Sequence, residues 1–222
     1  MTGFEFCFQG VKLTALGERA LWWADERLLV VSDLHLGKSE RHARRGGAAL
    51  PPYEGRDTIG RLSALVDRLK PDTVLCLGDS FDDDASANAL IAEDRERLAQ
   101  LPIGKKWIWI EGNHDPAPPA FGGEALSQVT LGPLTFRHIA SHASAEVSGH
   151  YHPKVTVRNQ SRPAFLLNRD RLILPAFGTY TGGLRATDPV LQNLMGKGAM
   201  AILCGPKPLP CPMPRSTSQK RR

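Results

Sequence analysis

The apolar positions of this 222-residue chain gather into short β-type runs broken by glycine, proline and charge, and only two stretches carry a helical period. Strands are predicted over residues 4–8, 28–32, 73–77, 107–110, 134–138, 155–158, 164–168 and 199–203. Between residues 57 and 70, Ile59, Leu62, Leu65, Val66 and Leu69 share one helical face, and Pro71 stops the helix. A second helix is predicted over about 86–100, ahead of Pro102, with a less regular apolar face. Strands interleaved with helices point to an α/β architecture rather than a helical bundle or a pure sandwich. The length suits one sizeable core, so a single catalytic domain over residues 1–204 is expected, followed by a distinct tail over 205–222.

Composition changes this picture little, except at the C-terminus. The formal net charge is +5, yet the tail carries all of it: Lys207, Arg215, Lys220, Arg221 and Arg222 are its basic residues, and it has no acid. Without those five, 23 basic residues face 23 acidic ones, so bulk charge does not indicate a substrate. Pro206, Pro208, Pro210, Pro212 and Pro214 recur at every second position, which predicts an extended, solvated, disordered tail. Its basic residues would add weak, salt-sensitive attraction to a polyanion. No apolar run approaches the ~20 residues of a membrane span. Residues 1–10 contain no Lys or Arg to begin a secretion signal, and the expected location is the cytoplasm. Cys7, Cys76, Cys204 and Cys211 show no metal-type or redox-type pairing, so reduced thiols are expected, with Cys76 a small buried side chain in its apolar run.

The candidate chemistry lies where predicted strands end. After the run 28–31 comes Asp33-Leu34-His35, and extended geometry would project Asp33 and His35 to one side. After 73–77 comes Gly78-Asp79, where the glycine permits close backbone approach and a two-oxygen carboxylate could bridge two ions. The acids Asp82, Asp83 and Asp84 that follow read equally as supporting partners or as a solvated turn at a helix start. After 107–110 comes Gly112-Asn113-His114-Asp115, a tetrapeptide expected by chance in about one chain in a thousand of this length. Asn113 offers a neutral amide oxygen to a metal. His114 is left to act on substrate, and Asp115 to hold its imidazole in one tautomer. Gly149-His150-Tyr151-His152 adds two imidazoles at period two. His138 closes the set. No local motif separates it from His142, but His138 ends an apolar run, whereas His142 sits among serines and alanines.

In this order, Asp-x-His, Gly-Asp, Gly-Asn-His-Asp, His and Gly-His-x-His resemble the calcineurin-like metallophosphoesterases over most of residues 28–152. The resemblance implies a four-layer αββα sandwich with a dinuclear site at the C-terminal ends of strands. One ion would be held by Asp33, His35, Asp79 and His152 and the other by Asp79, Asn113, His138 and His150. Asp79 would bridge, and His114 would stabilise charge or protonate the leaving oxygen. Such a pair of divalent ions hydrolyses phosphoesters by in-line attack of a bridging hydroxide. Carboxylate, amide and imidazole ligands without thiolate suit manganese, iron or zinc, manganese best.

For the substrate, Lys38, Arg41, Arg44 and Arg45 form a basic stretch leaving the first ligand pair. It reads either as a track for phosphates flanking the scissile bond or as a solvated loop. The runs 33–38, 149–154 and 175–184 are similar to the bacterial ligase-associated DNA damage response endonucleases. That resemblance implies phosphodiester cleavage in DNA or RNA during repair, with a DNA ligase and a helicase as partners. Asp82 stands where that subfamily typically carries histidine. Two other readings are carried forward: a small-molecule phosphoesterase acting on nucleotides or cyclic nucleotides, and a non-catalytic scaffold of the same fold.

Overall fold

The computed structural model describes residues 3–39, 41, 53–83, 86–113 and 121–216. Two sheets stack face to face. The first has seven strands in sequential order: β1 (Gly3–Phe8), β2 (Val11–Leu16), β3 (Leu21–Trp23), β4 (Leu28–Val31), β5 (Thr73–Leu77), β6 (Lys106–Ile110) and β7 (Glu124–Leu126). From β4 to β7 the pairing is parallel, with Val31 opposite Cys76 and Leu77 opposite Ile110. The C-terminal ends of β4, β5 and β6 therefore share one edge.

The second sheet contains β8 (Gln128–Leu131), β9 (Leu134–Arg137), β10 (Glu146–Ser148), β11 (Lys154–Val157), β12 (Gln160–Leu167), β13 (Arg171–Ile173), β14 (Met200–Leu203) and β15 (Leu209–Pro212). Its order is β15-β14-β12-β13-β10-β9-β8, with β11 paired to β12. β9 and β10 are parallel, so their ends also open on one side.

Alternation along the strands divides the core into layers. Val30, Leu75, Leu77, Ile108 and Ile110 of the first sheet meet Leu134, Phe136, Val147, Phe165 and Ile202 of the second. The opposite face of the first sheet, through Leu29, Val31, Val74, Cys76 and Trp107, receives α1 (Tyr53–Leu69), α2 (Ser86–Ala89) and α3 (Ala92–Gln100). On the far side of the second sheet, Leu191 and Met195 of α4 (Pro189–Met195) pack on Val155, Leu166 and Ala201. The result is the expected αββα stack.

Ile59, Leu62, Leu65, Val66 and Leu69 are the buried stripe of α1, and the helix ends as Lys70 turns to φ +47° before Pro71. It begins four residues earlier than the apolar period indicates, at a first turn where buried Glu54 accepts the Ser39 N–H at 2.7 Å. The single helix predicted over 86–100 is two helices, because Ile91 is extended (ψ 148°) and Leu90 turns into the core.

The tail requires a larger correction. Residues 209–212 are not solvated coil but the edge strand β15, paired antiparallel with β14. Met213 N–H donates to Ala199 O at 2.9 Å. Leu209 and Cys211 share its parity, so their N–H groups face β14, while Pro210, Pro212 and Pro214 direct their donor-less nitrogens outward. Alternating proline is thus compatible with an edge strand and protects it from further pairing. Among the described residues, no helix is long and apolar enough to cross a membrane.

Candidate metal centre

Five loops, each leaving a strand at the shared edge, bring Asp33, His35, Asp79, Asn113, His138, His150 and His152 together. They do so by backbone kinks rather than by extended geometry. Asp33 (φ +53°), His35 (+46°), Asp79 (+47°), His150 (+69°) and His152 (+47°) all occupy the left-handed region. The same-side projection expected from period two is therefore replaced by local turns, each costing on the order of 1–3 kcal/mol for a residue with a side chain. Backbone hydrogen bonds across the edge offset this cost: Asp33 N–H to Gly78 O at 3.2 Å, His35 N–H to Asp79 O at 2.9 Å and Gly149 N–H to His138 O at 3.0 Å.

Two glycines make the close approaches feasible. A Cβ on Gly78 would fall 2.5 Å from the His138 ring, and one on Gly149 would fall 1.7 Å from Ser32 Oγ and 2.6 Å from Asp33 Oδ2. Without that Cβ, the His150 N–H reaches both Asp33 oxygens, at 3.0 and 3.2 Å. Ser32 Oγ also donates to Asp33 Oδ2.

Two groups of ligand atoms result, one from Asp33, His35 and His152 and one from Asp79, His138 and His150. Within each, the side chains are turned so that lone pairs meet. His138 donates Nδ1–H to Leu77 O at 2.8 Å, which turns Nε2 into the centre, 2.9 Å from Asn113 Oδ1, 3.2 Å from His150 Nδ1 and 3.4 Å from an Asp79 oxygen. His35 donates Nδ1–H to Asp82 at 3.0 Å, leaving its Nε2 3.3 Å from His152 Nε2 and 3.9 Å from Asp79. His152 Nε2 lies 3.1 Å from Asp33. Nitrogen and oxygen atoms gathered at such separations need protons or metal cations lying among them, and the donor set fits two divalent ions.

Burial pushes the Asp33 carboxyl up, but its hydrogen bond with His152 and the neighbouring imidazoles bring it below the ordinary carboxylate range. Burial pushes His138 down, and the hydrogen bond to Asp79 with the charge of Asp33 more than reverses it. His150 is lowered, by burial first and then by His138.

Of the two histidines left open by the sequence, His138 is buried in the centre and His142 is exposed. Asp82 supports His35 and is itself held by Arg41 Nη1 at 2.9 Å, with Asp83 3.7 Å from Arg41 Nε. Arg41, expected to track substrate phosphates, is thus committed to these acids. Burial would raise Asp82, but His35 and Arg41 hold it far below the ordinary carboxylate range. Lys38, close in the chain to His35, is half-buried. His114, Asp115, Arg44 and Arg45 lie outside the described residues.

Sequence reasoning assigned no job to Ser32 or to the segment 175–184. In the structure Phe177 N–H donates to Ser32 O at 2.7 Å and Gly178 N–H to Asp33 O at 3.1 Å, while Gly183 passes so close to His152 that a Cβ would fall 2.1 Å from its carbonyl oxygen. The glycines of that run were the available signal. On the Asn113 side a cleft of about 400 Å³ opens, lined by Glu111, Gln128, Arg137 and His138.

An αββα sandwich with two adjacent groups of carboxylate and imidazole at its strand ends defines a dinuclear metallohydrolase. The sequence agrees: residues 26–179 match the family model described as calcineurin-like phosphoesterase, and the chain belongs to that family. Among solved structures it is similar to the nuclease MPE of Pseudomonas putida, at 25% identity and a TM-score of 0.74 over 93% of this chain and 100% of that one. No curated protein matches the sequence.

Proposed function

We propose that this phosphoesterase is a nuclease, hydrolysing phosphodiester bonds of DNA or RNA with two divalent ions, manganese by preference. The observation that carries the metal dependence is the convergence of carboxylate and imidazole in two adjacent groups, Asp33, His35 and His152 beside Asp79, His138 and His150, with Asn113 Oδ1 2.9 Å from His138 Nε2. The similarity to a nuclease over nearly the whole chain supports the choice of substrate. When bound, two such ions polarise the phosphoryl group, activate water and neutralise the departing oxygen.

The chain's own residues hold and orient. Asp33, His35 and His152 would hold one ion and Asn113, His138 and His150 the other, with Asp79 a ligand of both. Asp82 and the Leu77 carbonyl fix the tautomers of His35 and His138, so that Nε2 of each faces the centre. His114 donates a proton to the leaving oxygen, with Asp115 holding its ring, and Lys38 attracts a flanking phosphate. The same reading assigns the enzyme to DNA repair beside a ligase and a helicase, a partnership to be sought by co-purification.

The test is hydrolysis of labelled single-stranded DNA and RNA, beside a chromogenic phosphodiester, by metal-stripped protein resupplied with manganese. Cleavage of polynucleotide that is lost in His114→Ala, with metal content unchanged, is the expected outcome. Hydrolysis of the chromogenic diester alone would refute the nuclease reading, and full activity in His114→Ala would refute the role of that histidine.

A further inference from the structure

The segment 175–184 carries more than backbone support. Tyr180 stands in it at φ +60° with 53% of its surface exposed. A solvent-facing tyrosine alone requires no explanation, but a bulky residue in the left-handed region is an outlier whose strain the surroundings must impose. They do so from both sides. Thr179 N–H donates to Thr58 Oγ1 at 3.1 Å, and its hydroxyl donates to Asp57 at 2.5 Å. Thr181 Oγ1 donates to Gly178 O at 3.1 Å, and Thr181 O accepts from Lys154 Nζ at 2.9 Å. The phenol ring is thus presented to solvent from a fixed backbone, two residues from Gly178, whose N–H holds the Asp33 carbonyl.

Lys154, bonded to the neighbouring Thr181, also lines a cleft of about 390 Å³ with Thr156, Asn159, Arg185 and Thr187. Lys154 and Arg185 are paired backbone to backbone in parallel, with Lys154 N–H donating to Leu184 O and Ala186 N–H to Lys154 O. Such pairing points their side chains to one face. No acidic residue lines this cleft among the described residues. Arg19 and Lys38 lie near enough for their charges to act on Lys154. Cations therefore extend from Lys38, close in the chain to the ligand His35, through Lys154 to Arg185, and Lys154 Nζ rests on Thr181, the residue next to Tyr180. Positive charge with a rigid exposed ring suits unpaired nucleotides, whose bases are free to stack; duplex bases are not.

We propose that a single-stranded polynucleotide leaves the metal centre across residues 178–184, stacking an unpaired base on Tyr180 and seating a flanking phosphate between Lys154 and Arg185. The inference rests on the nuclease reading above and narrows its substrate to single strands.

The experiment compares kcat/KM of manganese-loaded full-length protein on labelled single-stranded DNA, on a blunt duplex of the same sequence and on bis(4-nitrophenyl) phosphate. The ratio of single-strand to chromogenic activity should fall about tenfold in Tyr180→Ala, the loss equivalent to ~1.4 kcal/mol of stacking. It should recover to within about twofold of wild type in Tyr180→Phe, which keeps the ring and controls for folding. Arg185→Ala should lower the ratio and flatten the slope of log(kcat/KM) against log salt by about 0.7, one phosphate contact on a single strand. A ratio unchanged in both Tyr180→Ala and Arg185→Ala, with wild type cleaving single strands, would overturn the track and leave the nuclease reading intact. An equal loss on duplex in Tyr180→Ala would overturn the stacking role. Wild-type protein that hydrolyses only the chromogenic diester would overturn both readings.

Discussion

Gly78 is the residue at which fold and site press hardest on each other, and Gly78→Ala measures that pressure. Its backbone sits at φ +74°, which alanine adopts at a cost of roughly 1–2 kcal/mol. The added Cβ would lie 2.5 Å from both Cγ and Nδ1 of His138, whereas ordinary carbon contacts need about 3.5–4 Å. The imidazole must therefore retreat by about 1 Å. That movement draws Nδ1–H from the Leu77 carbonyl, now 2.8 Å away, and an unpaired buried carbonyl costs about 1–3 kcal/mol. The expected destabilisation is about 3 kcal/mol, equivalent to a fall of roughly 6–12 °C in Tm for a domain of this size. Urea unfolding of the metal-free protein checks that figure without involving activity. The same retreat takes His138 Nε2 from Asp79 and His150, so manganese titration calorimetry should show the ion on that side weakened at least on the order of tenfold. A variant within about 0.5 kcal/mol of the parent, binding both ions as the parent does, would refute the argument.

Three further predictions test other links. Asp82→Asn removes the charge that holds the His35 tautomer and loosens Arg41, which keeps Asp83; calorimetry should show about 10–100-fold weaker binding of one ion. Burial pushes the Cys204 thiol from its ordinary 9.0 up to about 12. The folded state thus keeps a proton that the unfolded chain releases, and the resulting stability, complete below pH 9, is lost as pH rises towards 12. Urea midpoints of Cys204→Ala should fall less steeply above pH 9 than those of the parent, and exposed Cys7 should react with a thiol reagent long before Cys204. Ending the chain at Cys204 removes β15 and bares the β14 edge; light scattering should detect self-association that the full chain does not show.

Much of the fold was legible because its inner strands are buried on both faces and so read as plain apolar runs. β5 matches its predicted span at both ends, and β4 and β6 match to within a residue; β9, buried on one face only, matches as closely through its alternation. The strands that escaped are short or half-polar. β13 is three residues, and β8 alternates between exposed and partly buried positions, too little for a period to register. β2 does alternate, and its hairpin with β1 turns on Gln9 and Gly10 at φ +50° and +82°, a legible signal that was passed over. The proline tail misled because local composition reports what a segment can do alone, whereas an edge strand depends on the neighbour it meets.

The sequence by itself determined which residue types stand at the ends of successive apolar runs, and hence the seven candidate ligands and the family. Only the tertiary structure decided how they converge. Asp33 and His152 meet across 119 positions because two sheets stack with their strand ends aligned. His138 rather than His142 enters the centre because it leaves β9 beside Leu77, and Arg41 turns to Asp82 rather than outward. The left-handed turns at five of the ligands also lie beyond any local pattern, since no isolated segment would hold such backbones. They persist because hydrogen bonds from the neighbouring strand ends and the packed core beneath leave them no other conformation.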